Sequence, residues 1–277
     1  MKTNFLLAAA LASLLLFPGN SRANKKHIIY SGWIHGNDTV LVYSPAGAEY
    51  ERALPTVFLL HGYSGSYADW GNSMNLQKLA DETGFRIICP DGFFQSWYFN
   101  DVNPLKMQWR EFFWFDLWPL VSRMYGLDPD RTFITGLSMG GHGAMNVFLD
   151  HPDRFRGAGS MSGVLDLRHS AGSRTTIPQI LGGRDIDDPR CTAQSAVNRL
   201  ERIRQTCGSR AGEKLLVVTC GEQDETFLPA STEFVERCKA LNLNYIEKYA
   251  PGRHEWAYWT EAIHDHLTWF REALPTR

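Results

Sequence analysis

Between the apolar run RTFIT and the segment HGAMNVFLD the chain reads GLSMGG, Gly136 to Gly141. Gly136, Ser138 and Gly140 form a G-x-S-x-G pattern, with strand character before it and helix character after it. In that setting the turn is so sharp that side chains two before and two after the serine would collide with neighbouring backbone, which glycine avoids. The serine is held in a strained conformation with its hydroxyl above the sheet edge. The next N–H, of Met139, points at the same spot from a helix N-terminus, where it can stabilise an oxyanion. The bare pattern also arises by chance in glycine-rich turns; strand, helix and doubled glycine together set this one apart.

Such a corner belongs in a parallel sheet, and the rest of the chain supplies the pattern for one. Short apolar runs rich in β-branched residues occur at HIIYS, TVLVYS, TVFLLH, RIICP, RTFIT, GAGSMS, LLVVTC and NYIEKYA. After the third, most are separated by helical patterns, at 74–84, 111–125, 139–150, 191–206, 230–241 and 256–273. Two early strands in succession imply a hairpin, and the later alternation implies crossover units. The apolar fraction of 44% and charged fraction of 21% are those of an ordinary globular protein. The expectation is a single α/β domain over 24–277, with a mostly parallel sheet of about eight strands flanked by helices. The longest segment without an assignment is 163–190, and loops of that length often form active-site walls or lids.

A serine hydroxyl is a weak nucleophile at neutral pH and needs a positioned base. With the chain order Ser, acid, His, the base lies beyond Ser138 and near the C-terminus. His254 fits, in the loop APGRHEW between the last strand pattern and the last helix. His264 and His266 fall inside that helix, where a solvated face is the plainer reading. His142 is one turn from the serine, so it lines the site but is poorly placed to take the proton. His151 precedes Pro152 and reads as a surface cap. The acid follows the penultimate strand, where GEQDETF offers Glu222, Asp224 and Glu225. Asp224 is best placed within the loop, Glu222 is close behind, and Asp166 is the outside candidate; a solvated loop carboxylate is the ordinary fate of each. A second oxyanion donor comes from the loop after the third strand, FLLHGYSGSYADW, where the N–H of Tyr63 follows His61-Gly62. His61 itself reads as structural, its ring bonded within the loop.

The segment 93–118 is dense in aromatic residues. Phe112, Phe115 and Trp118 sit at helical spacing and read as core. Trp97 and Tyr98, in the loop before them, are candidate walls of an acyl or sugar site, with Asn100 and Asp101 as polar contacts.

At the N-terminus, Lys2 and the apolar run Phe5 to Phe17 precede Ser21-Arg22-Ala23. The run is shorter than the roughly 20 residues a membrane span requires, so 1–23 reads as a signal peptide and the protein as periplasmic or secreted. Of the five cysteines, Cys89 and Cys220 lie in strand patterns as small buried hydrophobes. Cys191 and Cys207 bracket a helix and are held apart by it, while a Cys207–Cys238 bridge is open to an exported protein. No metal-ligand spacing appears, so no metal and no cofactor is expected. A formal charge of -2 without a long basic run argues against nucleic acid as a partner.

The motifs LLHGYSGSYADW, PDGFFQSWYFND, GLSMGGHGAM, SMSGVLD, CGEQDETF and PGRHEWAYW together resemble those of the esterase D-like α/β-hydrolases. That family includes S-formylglutathione hydrolases, tributyrin-type esterases, mycolyltransferases, and the feruloyl and acetylxylan esterases of carbohydrate esterase family 1. The resemblance covers about residues 40 to 275 and implies the α/β-hydrolase fold. It implies Ser138 as nucleophile, His254 as base, Met139 and Tyr63 as oxyanion donors, and Asp224 rather than Glu222 as acid, because Phe227 follows it closely. The expected activity is hydrolysis of short acyl or feruloyl esters of carbohydrates through an acyl-enzyme. Export disfavours S-formylglutathione as substrate. An acyltransferase on the same site is the nearest rival, and a non-catalytic carbohydrate-binding relative the more distant one.

Overall fold

The computed structural model describes residues 25–169 and 176–276. The expected signal peptide lies outside them, as do residues 170–175 of the long unassigned segment. All eight apolar runs form strands: β1 (Lys25–Ser31), β2 (Gly36–Tyr43), β3 (Thr56–Leu60), β4 (Arg86–Cys89), β5 (Thr132–Gly136), β6 (Gly157–Met161), β7 (Leu215–Gly221) and β8 (Tyr245–Ala250). They make one sheet in the order β1-β2-β4-β3-β5-β6-β7-β8. β1 and β2 form the hairpin, β2 runs antiparallel to β4, and every other pairing is parallel.

Position in the sheet explains the sequence of each strand. β3 to β7 are buried along their whole length and read as continuous apolar or small-residue runs. The edge strand β1 alternates instead, and Ile28 and Tyr30 on its outer side are 65% and 76% exposed. Successive residues of the central strands enter opposite apolar layers. Phe58, Leu60 and Ile88 join one, and Val57, Leu59 and Ile87 join the other.

Helices cover both faces: α1 (Asp69–Ser73), α2 (Leu76–Thr83), α3 (Trp109–Phe112), α4 (Trp118–Tyr125), α5 (Met139–Asp150), α6 (Thr176–Leu181), α7 (Pro189–Thr192), α8 (Arg202–Cys207), α9 (Leu228–Ala240) and α10 (Trp256–Glu272). No helix among the described residues is long and apolar enough to cross a membrane.

Four sequence expectations are corrected. The helix expected over 191–206 is broken into α7, a 3-10 turn at Ala196–Asn198 and α8. Arg199, in the break, and Arg202, the first residue of α8, hold the end of α5, with Arg199 Nη2 2.6 Å from Asp150 Oδ1 and Arg202 Nε 2.7 Å from the Leu149 carbonyl. The helix expected over 111–125 contains a π turn at Phe113–Leu117. The extra residue shifts the phase, so Phe112, Phe113, Leu117 and Trp118 are buried while Phe115 is 62% exposed rather than core. His266 is not on a solvated face. It is fully buried in α10, with Nδ1 2.9 Å from Thr135 Oγ1 and Nε2 3.1 Å from Thr219 Oγ1. Burial pushes its pKa down to about 3. A β-carbon at Gly159, on the strand between those threonines, would come within 2.4 Å of Nδ1, which explains the glycine. All five cysteines are free thiols, so the Cys207–Cys238 bridge is not formed.

Candidate active site

The carboxyl ends of β3, β5, β7 and β8 converge, and each contributes one loop to the site. At the end of β5 the chain enters α5 through Ser138, which has φ 52° and ψ −119°, a region an L-residue occupies only under strain. The flanking glycines are forced by close backbone approach. A β-carbon on Gly136 would lie 2.7 Å from the Leu60 and Gly140 carbonyls, and one on Gly140 would lie 2.5 Å from the carbonyls of Leu60 and His61. Side chains cannot be accommodated there by rotamer change, because the obstacles are main-chain atoms.

Ser138 Oγ is 2.9 Å from His254 Nε2, and His254 Nδ1 is 2.7 Å from Asp224 Oδ2. The arrangement fixes the tautomer: Nδ1–H donates to the carboxylate, leaving Nε2 to accept the serine proton. Asp224 reaches this position from the turn after β7, where its Oδ1 also accepts the Phe227 N–H at 3.3 Å. Its side chain is 1% exposed, and His254 is 31% exposed. Phe227 and Trp259 flank the imidazole, with ring centroids at 4.6 and 4.8 Å. The two alternative acids do not meet it. Glu222 is exposed. Asp166 is buried against Arg168, whose Nε lies 2.9 Å from Oδ2.

The two N–H groups expected at the oxyanion are without a partner among the described residues. Met139 opens α5, and neither its N–H nor that of Tyr63 donates a hydrogen bond among the described residues. The direction of the Tyr63 N–H is set through its own peptide plane, because the Gly62 carbonyl is held from the other side. His61 Nδ1 lies 2.8 Å from that oxygen and the Gly65 N–H 3.2 Å. His61 Nε2 in turn lies 2.7 Å from the Gly92 N and 3.3 Å from Asp91 Oδ1.

Three of the expected substrate contacts, Trp97, Tyr98 and His142, are buried. Tyr98 is fully buried, its hydroxyl donating to the His61 carbonyl at 2.8 Å. A β-carbon at Gly92 or Gly143 would come within 2.3 Å of its ring, so it braces the oxyanion loop rather than walling a cavity. His142 is also fully buried, with Nδ1–H donating to the Val164 carbonyl at 3.0 Å, and burial pushes its pKa down to about 3. Trp97 is 4% exposed and packs edge-on against His142, so the structure places it beneath the loop surface. Asn100 and Asp101 spend their polar atoms on the Arg110 and Asn103 N–H groups.

A cavity of about 310 Å³ opens beside Ser138 and His254, bounded by Tyr63, Asp69, Leu137, Trp256 and Trp259. Sequence reasoning did not single out Asp69, Leu137, Trp256 or Trp259. The two tryptophans are three apart at the start of α10, immediately after His254, and that helical spacing is the signal that marks them. A second, polar opening of about 520 Å³ lies across His254, lined by Gln223, Glu225, Thr226, Arg253 and Glu255.

The model of the Esterase family matches residues 31–270. An acetyl esterase of Caldicellulosiruptor saccharolyticus is 22% identical over 260 residues, covering 87% of this chain and 95% of its own. An S-formylglutathione hydrolase of Arabidopsis thaliana is 21% identical over 276 residues, covering 91% of this chain and 93% of its own. Among solved structures, a ferulic acid esterase superposes with a TM-score of 0.76 at 19% identity over 91% of this chain and 98% of its own, a likeness of fold. The family match runs from the end of β1 into α10 and takes in every strand end that carries the site. This chain belongs to the Esterase family.

Proposed function

We propose that the protein is an exported serine hydrolase of carboxylic esters, acting on short acyl or feruloyl esters of carbohydrates. The observation that carries the reading is that His254 bonds Ser138 with one ring nitrogen and Asp224 with the other. Ser138 Oγ attacks the ester carbonyl carbon as His254 Nε2 takes its proton. The Tyr63 and Met139 N–H groups receive the negative charge that develops on the carbonyl oxygen. Asp224 holds the imidazole in the productive tautomer and stabilises the imidazolium. His254 then protonates the departing alcohol, and water attacks the acyl-serine by the reverse sequence to release the acid. The polar opening beyond His254 suits a hydroxyl-rich alcohol, and the tryptophan-lined cavity suits a compact acyl or phenolic group. The apolar run Phe5 to Phe17 supports export, which N-terminal sequencing of the mature protein would test by a start near Asn24.

Initial rates on p-nitrophenyl acetate, p-nitrophenyl butyrate and methyl ferulate, with the wild type beside Ser138→Ala, test the catalytic reading. The expected result is turnover that falls at least about a thousandfold in the variant. Full activity in Ser138→Ala would overturn the mechanism. Transfer to an added sugar outrunning hydrolysis would identify an acyltransferase instead, and a folded wild type inert toward every ester would point to a binding role.

A further inference from the structure

Asp69 lines the cavity that contains Ser138 and His254, and the catalytic cycle proposed above gives it no task. It is the one formally charged side chain among the described residues that bound this cavity; the others are glycines, Tyr63, Ser64, Leu137, Ser138, His254 and two tryptophans. Its Oδ1 accepts the Ser66 hydroxyl at 3.0 Å, which anchors the carboxylate at the start of α1. Its Oδ2 accepts no hydrogen bond among the described residues. That oxygen lies over Gly65: a β-carbon there would come within 2.3 Å of it, within 2.8 Å of His61 Nδ1 and within 3.0 Å of the Gly62 carbonyl. The free carboxylate oxygen therefore sits over the loop that presents the Tyr63 N–H, and Asp69 itself lines the cavity a bound ester must share.

We infer that Asp69 is a specificity-determining residue that makes this site accept neutral and cationic esters and reject anionic ones. A fixed charge at the wall of a half-enclosed cavity acts at an effective dielectric well below that of water, so it repels a second negative group a few ångströms away. Trp256 and Trp259 act in the same sense, since aromatic faces attract cations and tolerate neutral sugar or phenyl groups. The inference rests on the esterase reading and goes beyond it by naming the charge class of the substrate.

The test compares kcat/KM of the wild type and Asp69→Asn on matched esters that differ only in charge. 4-Acetoxybenzoate against 4-acetoxybenzamide carries the charge on the alcohol; the mono-4-nitrophenyl ester of terephthalate against the 4-nitrophenyl ester of 4-carbamoylbenzoic acid carries it on the acyl group. Asparagine keeps the oxygen that accepts from Ser66, so an intact fold is expected. In at least one pair, the anionic-to-neutral ratio should rise about fivefold to tenfold in the variant. Added salt should narrow the discrimination of the wild type in the same pair, a readout that needs no variant. Ratios moving less than twofold in both pairs, with wild-type discrimination insensitive to salt, would overturn the inference while leaving the esterase intact. Absence of Ser138-dependent turnover of the neutral esters would instead remove the reading beneath it.

Discussion

The two ends of α5 are built on opposite principles. At its N-terminal end Ser138 is strained, Gly136 and Gly140 leave no room for a side chain, and the Met139 N–H has no partner among the described residues. At its C-terminal end the last backbone acceptors are claimed by arginines. Arg202 binds the carbonyls of Leu149 and Asp150, and Arg199 bonds the side chains of Asn146 and Asp150. Arg110 stands 3.5 Å from the same aspartate. Burial pushes the Asp150 carboxyl up, but Arg110 and Arg199 outweigh it and hold the group below the usual carboxylate range. Guanidinium groups at a helix C-terminus also complement its partial negative charge. A helix clamped at one end can hold unpaired, strained groups at the other, and the reactive serine sits at the strained end.

The largest effect is expected from breaking the strained end. In Gly140→Ala the new β-carbon meets two carbonyl oxygens at 2.5 Å, both in the chain that leads into the oxyanion loop. Either the loop or the elbow must move. A displacement of this order misaligns serine, base and oxyanion donors together, so kcat/KM should fall by about a hundredfold or more. An alanine variant within threefold of wild-type activity would show that the close approach is not needed for turnover. At the clamped end the reverse is expected. Arg199→Ala should lower stability by about 2–3 kcal/mol, because Asp150 keeps only Arg110 at longer range, while kcat/KM on a neutral ester changes less than about twofold. Chemical denaturation beside steady-state rates separates the two, and an Arg199→Ala enzyme that lost activity without losing stability would contradict the division of labour.

The same contrast marks what the sequence could reveal. The strained end was legible, because its chemistry is local: a G-x-S-x-G between strand and helix needs no knowledge of the rest of the fold. Strands β3 to β7 were legible for a similar reason, since buried strands are apolar along their length, and β1 by the alternation of an edge. The clamped end was not. Arg199 and Arg202 lie in what reads as a continuous helix, and only the tertiary position of Asp150 explains why the chain breaks there. Aromatic and imidazole groups near a nucleophile suggest contacts, so Tyr98 and His142 read from sequence as facing the substrate. Nothing local shows that Gly92 and Gly143 make room for the tyrosine ring, or that Val164 lends His142 a carbonyl. Asp69 was missed because a single acid in a loop carries no pattern. Its meaning comes from a cavity its own loop forms with two others.

The smallest expected effect separates the two ends by pH. His142, in the first turn of α5, is neutral in the fold, with burial driving its pKa to about 3, whereas in the unfolded chain it titrates near its ordinary value of 6.5. Its folded pKa is the lower one, so the stability it contributes is present above about 6.5 and is lost progressively as the pH falls toward 3. Asp150 is likewise depressed, but from 3.8, so its contribution survives to about that pH and disappears only below it. Acid therefore undermines the strained end first. In His142→Asn the amide N–H can still reach the Val164 carbonyl, and the packing loss against Phe99 does not depend on pH. The stability gap between wild type and this variant should shrink by about 1 kcal/mol per pH unit between pH 6 and 4. His266, buried and depressed in the same way, is present in both proteins and cancels from the difference. The gap between wild type and Arg199→Ala should stay level over the same interval. Parallel gaps for the two variants from pH 7 to 4 would mean that His142 is not the group through which acid reaches the nucleophile's end of the helix.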